Sequence, residues 1–166
     1  MSHVEAGAQP ETAVVYRAHV SVEAKPGAIK EVSLPAETEP VPMGVHGDIA
    51  KHLKLAEGTF TPRASTLDYI VGAAAGCLTG VLSRALTVRK IPIGDGRLKV
   101  DAVGEVESEG GVLVIRRIHV VAHLKAEESQ RAAAERVAAT FEQECPVYRS
   151  ISKAIEITTE LDFQPL

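Results

Sequence analysis

Tryptophan is missing from this chain of 166 residues, and only three tyrosines and three phenylalanines are present. Any core must therefore be aliphatic and rich in alanine. Cysteine occurs only twice, as Cys77 and Cys145, too few for the disulfide framework that holds small secreted domains together. With the six histidines they fall at no spacing that suits zinc. An excess of basic charge is also lacking. Against 18 Lys and Arg stand 22 Asp and Glu, a formal net charge of -4, which argues against nucleic acid or an anionic membrane surface as partner. No glycine-rich phosphate loop follows a strand and no nucleophile elbow is present. The stretch from Met1 to Glu11 has no apolar segment of the kind a signal peptide carries. A cytoplasmic location is expected, with the two thiols either inert or redox-active.

What the chain does have is a long apolar stretch, Ser65 to Lys90. As a helix it would be apolar nearly all round, and so buried. Its charges sit at the ends, Asp68 near the start and Arg84, Arg89 and Lys90 near the finish, which suits the helix dipole. Ser65 can cap the helix, with Asp68 three residues on completing a capping box. Pro92 and Gly94 supply the stop. Such a helix is about 36 Å long, yet too rich in glycine and too charged at its ends to read as a membrane span. Gly72, Gly76 and Gly80 recur every four residues, each costing about 1 kcal/mol of helix propensity against alanine. Together they form a groove where another backbone can approach, and close helix packing is the expectation. Cys77 lies in the middle of this helix.

Around that helix the patterning is mixed. Residues 1–12 read as a disordered polar tail, and residues 13–166 as a single domain. Ala13 to Glu23 alternates as a half-buried strand, Lys25 to Ala28 makes a turn, and Ile29 to Leu34 is the hairpin partner. Pro35 to Pro42 reads as loop, with a short helix over Ile49 to Leu55. After the long helix, Arg97 to Glu107 and Val112 to Leu124 form strands joined at Glu109-Gly110-Gly111. Arg116 interrupts the apolar face of the second strand, where a long stem can escape at a sheet edge. Glu127 to Glu144 has the stripe of a second long helix. Cys145-Pro146 ends it and opens a short helix to Ala154, with proline at the first position and Cys145 at the N-cap. Ile155 to Phe163 closes as a strand. The class is α+β.

The chemistry centres on the thiols. Cys77 alone is one more small residue that packs well in a core. Cys145 at a helix start, with Arg149 one turn on, is expected to have a lowered thiol pKa. Asp68 lies nine residues before Cys77, on the far side of the helix and about 13 Å along its axis. It reaches the thiol only if the helix breaks or if it acts across a subunit boundary, and capping is its simpler role. Arg84 shares the face of Cys77 but is about 10 Å away along the axis and reads as a C-terminal charge. His119 and His123 share a strand face about 13 Å apart and cannot chelate one ion.

The segment Asp68-Tyr69-Ile70-Val71-Gly72-Ala73-Ala74-Ala75-Gly76-Cys77, combined with Cys145-Pro146-Val147-Tyr148-Arg149-Ser150-Ile151, resembles the osmotically inducible protein C / organic hydroperoxide resistance (OsmC/Ohr) family, in its OsmC-like branch. The likeness runs from about Ala13 to Phe163. It implies an OsmC-like fold, with antiparallel sheets wrapped around two long central helices in an intertwined homodimer, and active sites at the subunit boundary. It further implies a thiol peroxidase without metal, haem or other cofactor. Cys77 would be oxidised to a sulfenic acid by an organic hydroperoxide, or less well by hydrogen peroxide. Cys145 would resolve it as a disulfide, and an external dithiol would reduce that disulfide. In the family a glutamate and an arginine hold the thiolate and the peroxide. Asp68 stands at the glutamate position, one methylene shorter. Arg17 is the nearest match to the arginine of the early strands, and Arg63, just before the helix, is the second candidate. The glycine-arginine context of the hydroperoxide branch is absent. The alternative is a non-catalytic OsmC-like dimer that binds a small apolar or electrophilic ligand between subunits.

Overall fold

The computed structural model describes residues 13–166; the tail expected over 1–12 lies outside the described residues. The chain divides into two compact units, one ending at Arg63 and one spanning Ala64–Leu166.

In the first unit, β1 (Ser21–Lys25) and β2 (Ile29–Ser33) form the expected hairpin, in register from Ser21 opposite Ser33 to Lys25 opposite Ile29. Gly27 and Ala28 turn the chain at φ +74° and +62°. β3 (Val41–Met43) pairs with the other side of β2 and places Pro42 on an edge strand, where a missing N–H is tolerated. The short helix α1 spans Gly47–His52. The strand expected from Ala13 is not formed at that length: residues 13–20 are exposed and without regular structure. β2 ends at Ser33, two residues before Pro35, so no backbone donors or acceptors extend past Ser21 for an earlier residue to pair with. Alternation is not enough to make a strand without a neighbour.

The second unit holds the long helix. α2 runs Thr66–Val88, 23 residues. The Ser65 N–H and Oγ–H donate to Asp68 Oδ2 at 2.6 and 2.7 Å, and the Asp68 N–H donates to Ser65 Oγ at 3.2 Å, completing the capping box. At the far end the Lys90 N–H donates to the Thr87 carbonyl (2.9 Å) and the Ile91 N–H to the Leu86 carbonyl (3.1 Å). With Lys90 at φ +58°, this is a Schellman stop, three residues before the Pro92-Gly94 signal finishes. Ile91 and Leu86, both buried, provide its hydrophobic contact. The expectation that α2 is buried all round is not met within one chain. Ala74, Leu78, Leu82 and Leu86 are buried along one stripe, while Gly72, Gly76 and Gly80 face open space: a Cβ at any of them meets nothing within 4 Å.

Against α2 lies a sheet ordered β4-β5-β6, with β4 spanning Leu98–Glu109, β5 Val112–Ala126 and β6 Glu156–Pro165. Gly110 and Gly111, at φ +56° and +89°, close the β4–β5 hairpin with the left-handed geometry such loops need. β6 is parallel to β5, because the chain between them crosses over through helices; the sheet is mixed rather than wholly antiparallel. Arg116 marks a bulge. Glu105 pairs with Arg117 and Val106 with Ile115, leaving Arg116 without a partner in the register. The extra residue reverses which parity faces inward. Ile115 is buried before the bulge; Ile118, Val120, Ala122 and Leu124 are buried after it. Arg116 itself pairs with Glu109.

The second long helix is broken. α3 covers only Arg131–Ala138. Thr140 then leaves helical geometry at φ −144°, and Phe141–Glu144 winds as a 3-10 turn. Pro146 disfavours α geometry at Cys145 and offers no N–H to the Glu142 carbonyl, which instead accepts from the Cys145 N–H at 3.0 Å. α4 (Pro146–Ile151) follows, with Cys145 at its N-cap and proline in the first turn as expected.

Candidate active site

Cys77 sits halfway along α2, half-buried and packed against the core of the second unit, one turn beyond Ala73. Cys145 is fully buried. Pro146 sets the first helical φ, which brings the Tyr148 N–H, at the third position of α4, over the Cys145 sulfur at 3.4 Å. Cys77 and Val147 pack against the same core cluster that contains Cys145, and Cys77 lies near enough to act on the Cys145 thiol. Two thiols far apart in the chain are thus brought together.

Their electrostatics differ from the sequence expectation. The Cys145 thiol is pushed up, not down. Burial is the largest cause, and the Cys77 sulfur adds to it; the N–H groups of Tyr148 and Val147 pull the other way and are outweighed. A six-residue helix supplies little dipole, and removing a charge from water costs more than two N–H groups return. Arg149, expected to steady a thiolate here, is exposed. The thiol at the helix start is therefore held protonated, and its half-exposed neighbour is the one that a reagent can reach.

The remaining residues are placed as follows. Asp68 is part of the capping box, and with Ala64, Tyr69, Gly72 and Ala73 it also lines an open groove along α2. Arg17 lies in the exposed segment before β1. Arg63 donates its backbone N–H to the Val45 carbonyl at 3.1 Å. Arg84 is exposed on α2. His119 and His123 each bond across to β6: His119 Nδ1 lies 2.8 Å from Thr158 Oγ1, and His123 Nδ1 lies 2.8 Å from Asp162 Oδ2. Among the described residues, no group of three or more His, Cys, Asp or Glu is arranged to hold a metal ion. The backbone N–H of Tyr148 was not singled out from sequence. The N-cap reading of Cys145 would have found it, because a cap side chain accepts from the second or third residue of its helix.

An α+β fold carrying a thiol on a long helix, faced by a buried thiol at the cap of a short one, defines a dithiol protein. Residues 58–160 match the family model described as OsmC-like protein, and the chain belongs to that family. A sequence comparison with curated proteins finds no match. Among solved structures, the OsmC-like protein from Mycoplasma pneumoniae is similar with a TM-score of 0.67 at 10% identity, over 92% of this chain and 99% of that one. The organic hydroperoxide resistance protein OhrB of Bacillus subtilis gives 0.62 at 12% identity, over 90% and 100%. A putative organic hydroperoxide resistance protein from Vibrio cholerae, with captopril bound in one of its active sites, gives 0.62 at 13% identity, over 90% and 93%. At these identities the likeness is one of fold.

Proposed function

We propose that this chain is a two-cysteine, thiol-dependent peroxidase that reduces organic hydroperoxides, with hydrogen peroxide a poorer substrate, and that it works as a homodimer. The observation that carries the reading is the packing of a half-buried Cys77 against the core cluster that holds a fully buried Cys145. Family membership and the organic hydroperoxide resistance proteins among its structural neighbours support it.

The Cys77 thiolate attacks one oxygen of the hydroperoxide. An S–O bond forms, the O–O bond breaks, and the alkoxide leaves and takes a proton to become an alcohol. The sulfenic acid of Cys77 is then attacked by Cys145: an S–S bond forms, the S–O bond breaks, and hydroxide leaves as water with the proton Cys145 gives up. An external dithiol returns both sulfurs to the reduced state, and a reducing cytoplasm would supply one. In this reading Asp68 and an arginine, Arg17 or else Arg63, complete the site across the boundary between two copies, holding the thiolate and the peroxide. The apolar groove beside Asp68 and Tyr69 also favours a second reading, a non-catalytic dimer that holds a small apolar or electrophilic ligand there.

Titration of free thiols after addition of cumene hydroperoxide separates the two. The expected result is loss of two thiols per chain, with Cys77→Ser inert and Cys145→Ser trapping a sulfenic acid on Cys77. Unchanged thiols in the wild-type protein would remove the peroxidase reading, and ligand-dependent stabilisation that survives Cys77→Ala would favour the binder.

A further inference from the structure

We propose that the outer face of the β4-β5-β6 sheet carries an anion site between Arg97 and Lys125, one that takes the phosphate group of a small molecule. The site uses neither thiol and does not depend on the peroxidase reading.

Strand register brings the cations together. Leu98 stands opposite Leu124, so Arg97, just before β4, stands opposite Lys125, and the Lys125 N–H donates to the Arg97 carbonyl at 2.8 Å. Two residues on, Lys99 stands opposite His123, and Gln164 of β6 lies beside Lys125. Residues two apart share a face of a sheet. Leu98, Ala122 and Leu124 turn to the core, so Lys99, Asp101, His123 and Lys125 turn away from it. With Arg97 and Gln164 they line a pocket of about 280 Å³.

The charges in that pocket do not balance. Lys99 is paired with Asp101 at 2.8 Å, and His123 is held between Asp101 and Asp162. Arg97 and Lys125 have no carboxylate within ion-pairing distance among the described residues. Like charges directly opposite one another in a ladder destabilise it. The chain has an excess of acid, 22 residues against 18 basic, so this pair does not reflect a generally basic surface. An anion seated between the two side chains removes their repulsion and accepts charge-assisted hydrogen bonds from both. Arg97 is half-buried, which lessens screening by salt. With Lys99 offset by Asp101, the two remaining positive charges match a dianion. Gln164 spends one amide hydrogen on Asp162 at 2.6 Å and keeps the other. A phosphate group supplies the oxygens that the guanidinium fork, the ammonium and this amide can share.

The test is titration calorimetry of the full chain with inorganic pyrophosphate and with inorganic phosphate, at neutral pH and matched ionic strength. Saturable binding at one site per chain is expected. Arg97→Gln and Lys125→Gln should each weaken it about tenfold, the size of effect a hydrogen bond to a charged group carries. Arg136→Gln removes an exposed positive charge from α3 and should leave binding unchanged. Pyrophosphate binding more tightly than phosphate assigns the pocket to a phosphorylated metabolite that fills it; equal affinities assign it to the free anion. No saturable binding to the wild-type protein would overturn the proposal, whatever the variants do. Equal loss in Arg136→Gln, or none in Arg97→Gln and Lys125→Gln, would overturn it as well, since the attraction would then be a property of overall charge and not of this pocket. No readout involves peroxide, so the peroxidase reading and this site stand or fall separately.

Discussion

Val71 of α2 occupies the space where a side chain at position 104 of β4 would stand. A Cβ added to Gly104 would fall within overlap distance of Val71 Cγ2, so the helix rests on the sheet at the one point of β4 that has no side chain. The glycine is there for close approach, since its backbone has no left-handed φ to accommodate. Gly104→Val should force α2 and β4 apart and destabilise the protein by about 1–3 kcal/mol. Urea unfolding followed by circular dichroism measures it, and a paired Val71→Ala should recover part of the loss, because the two substitutions act on one contact.

Lys90 ends α2 in a conformation that suits glycine. Its φ of +58° brings the lysine Cβ against its own carbonyl, a cost of roughly 1 kcal/mol that glycine lacks. Both hydrogen bonds of the Schellman stop are made by backbone atoms, so they survive substitution. Lys90→Gly is expected to stabilise the protein by roughly 0.5–1 kcal/mol, less whatever the added freedom of the unfolded chain removes. A thermal melt that falls instead of rising would show that the lysine side chain does something here that its backbone does not reveal.

His123 is held between two strands, with Nδ1 2.8 Å from Asp162 Oδ2 on β6 and Nε2 3.2 Å from Asp101 Oδ2 on β4. Both carboxyls are held below their ordinary range. For Asp162 the main cause is the hydrogen bond to His123, followed by that from Gln164; for Asp101 it is Lys99, with His123 adding to it. A depressed carboxyl pKa contributes stability above the unfolded value and loses it as pH falls through the folded one. The melting temperature should therefore drop as pH is lowered through the ordinary aspartate range, about pH 4, and below. Asp162→Asn should melt lower at neutral pH and show a shallower acid limb. An acid limb as steep as that of the wild type would place the effect elsewhere.

The parts of this fold that the sequence revealed are those set by short-range chemistry. The Ser65 and Asp68 cap, the turn at Gly110-Gly111 and the N-cap at Cys145 each depend on residues within four positions of one another, and all three are formed. Arg116 was visible as a break in an alternating face, but only the pairing with β4 shows that it is a bulge that exchanges the inward parity. The second helix failed because the apolar stripe continues through Thr140 while the backbone does not, with Pro146 closing the segment from beyond its end. The acidity of Cys145 is not legible in the sequence for a related reason. A helix start can be read from Cys-Pro, but the burial that outweighs it comes from a core whose members lie far away in the chain. Spacing alone says nothing about which buried residues meet, and only the family likeness points to the two thiols as a pair.

The last prediction concerns the open face of α2. This helix is long and apolar enough to cross a membrane by length and composition, and only 22% of its most apolar window is buried. Its inner stripe, however, is locked into the core with Ile91, Ile118 and Leu124, and Ser65 and Asp68 hold its first turn. A face so apolar, with Tyr69, Ile70 and Val88 exposed beside the glycines, calls for cover, and in the homodimer proposed above a second copy supplies it. Glycines every four residues allow a close crossing. Gly76→Leu separates intrachain from interchain packing. Within one chain the added Cβ meets nothing within 4 Å, and the substitution removes a helix-weakening glycine. Between two chains it fills the crossing point. Sedimentation should report a dimer for the wild type and a monomer for Gly76→Leu, with helical circular dichroism retained. A dimer that survives Gly76→Leu unchanged would mean that the second copy docks elsewhere, and the site would then have to be completed without a residue carried across this face.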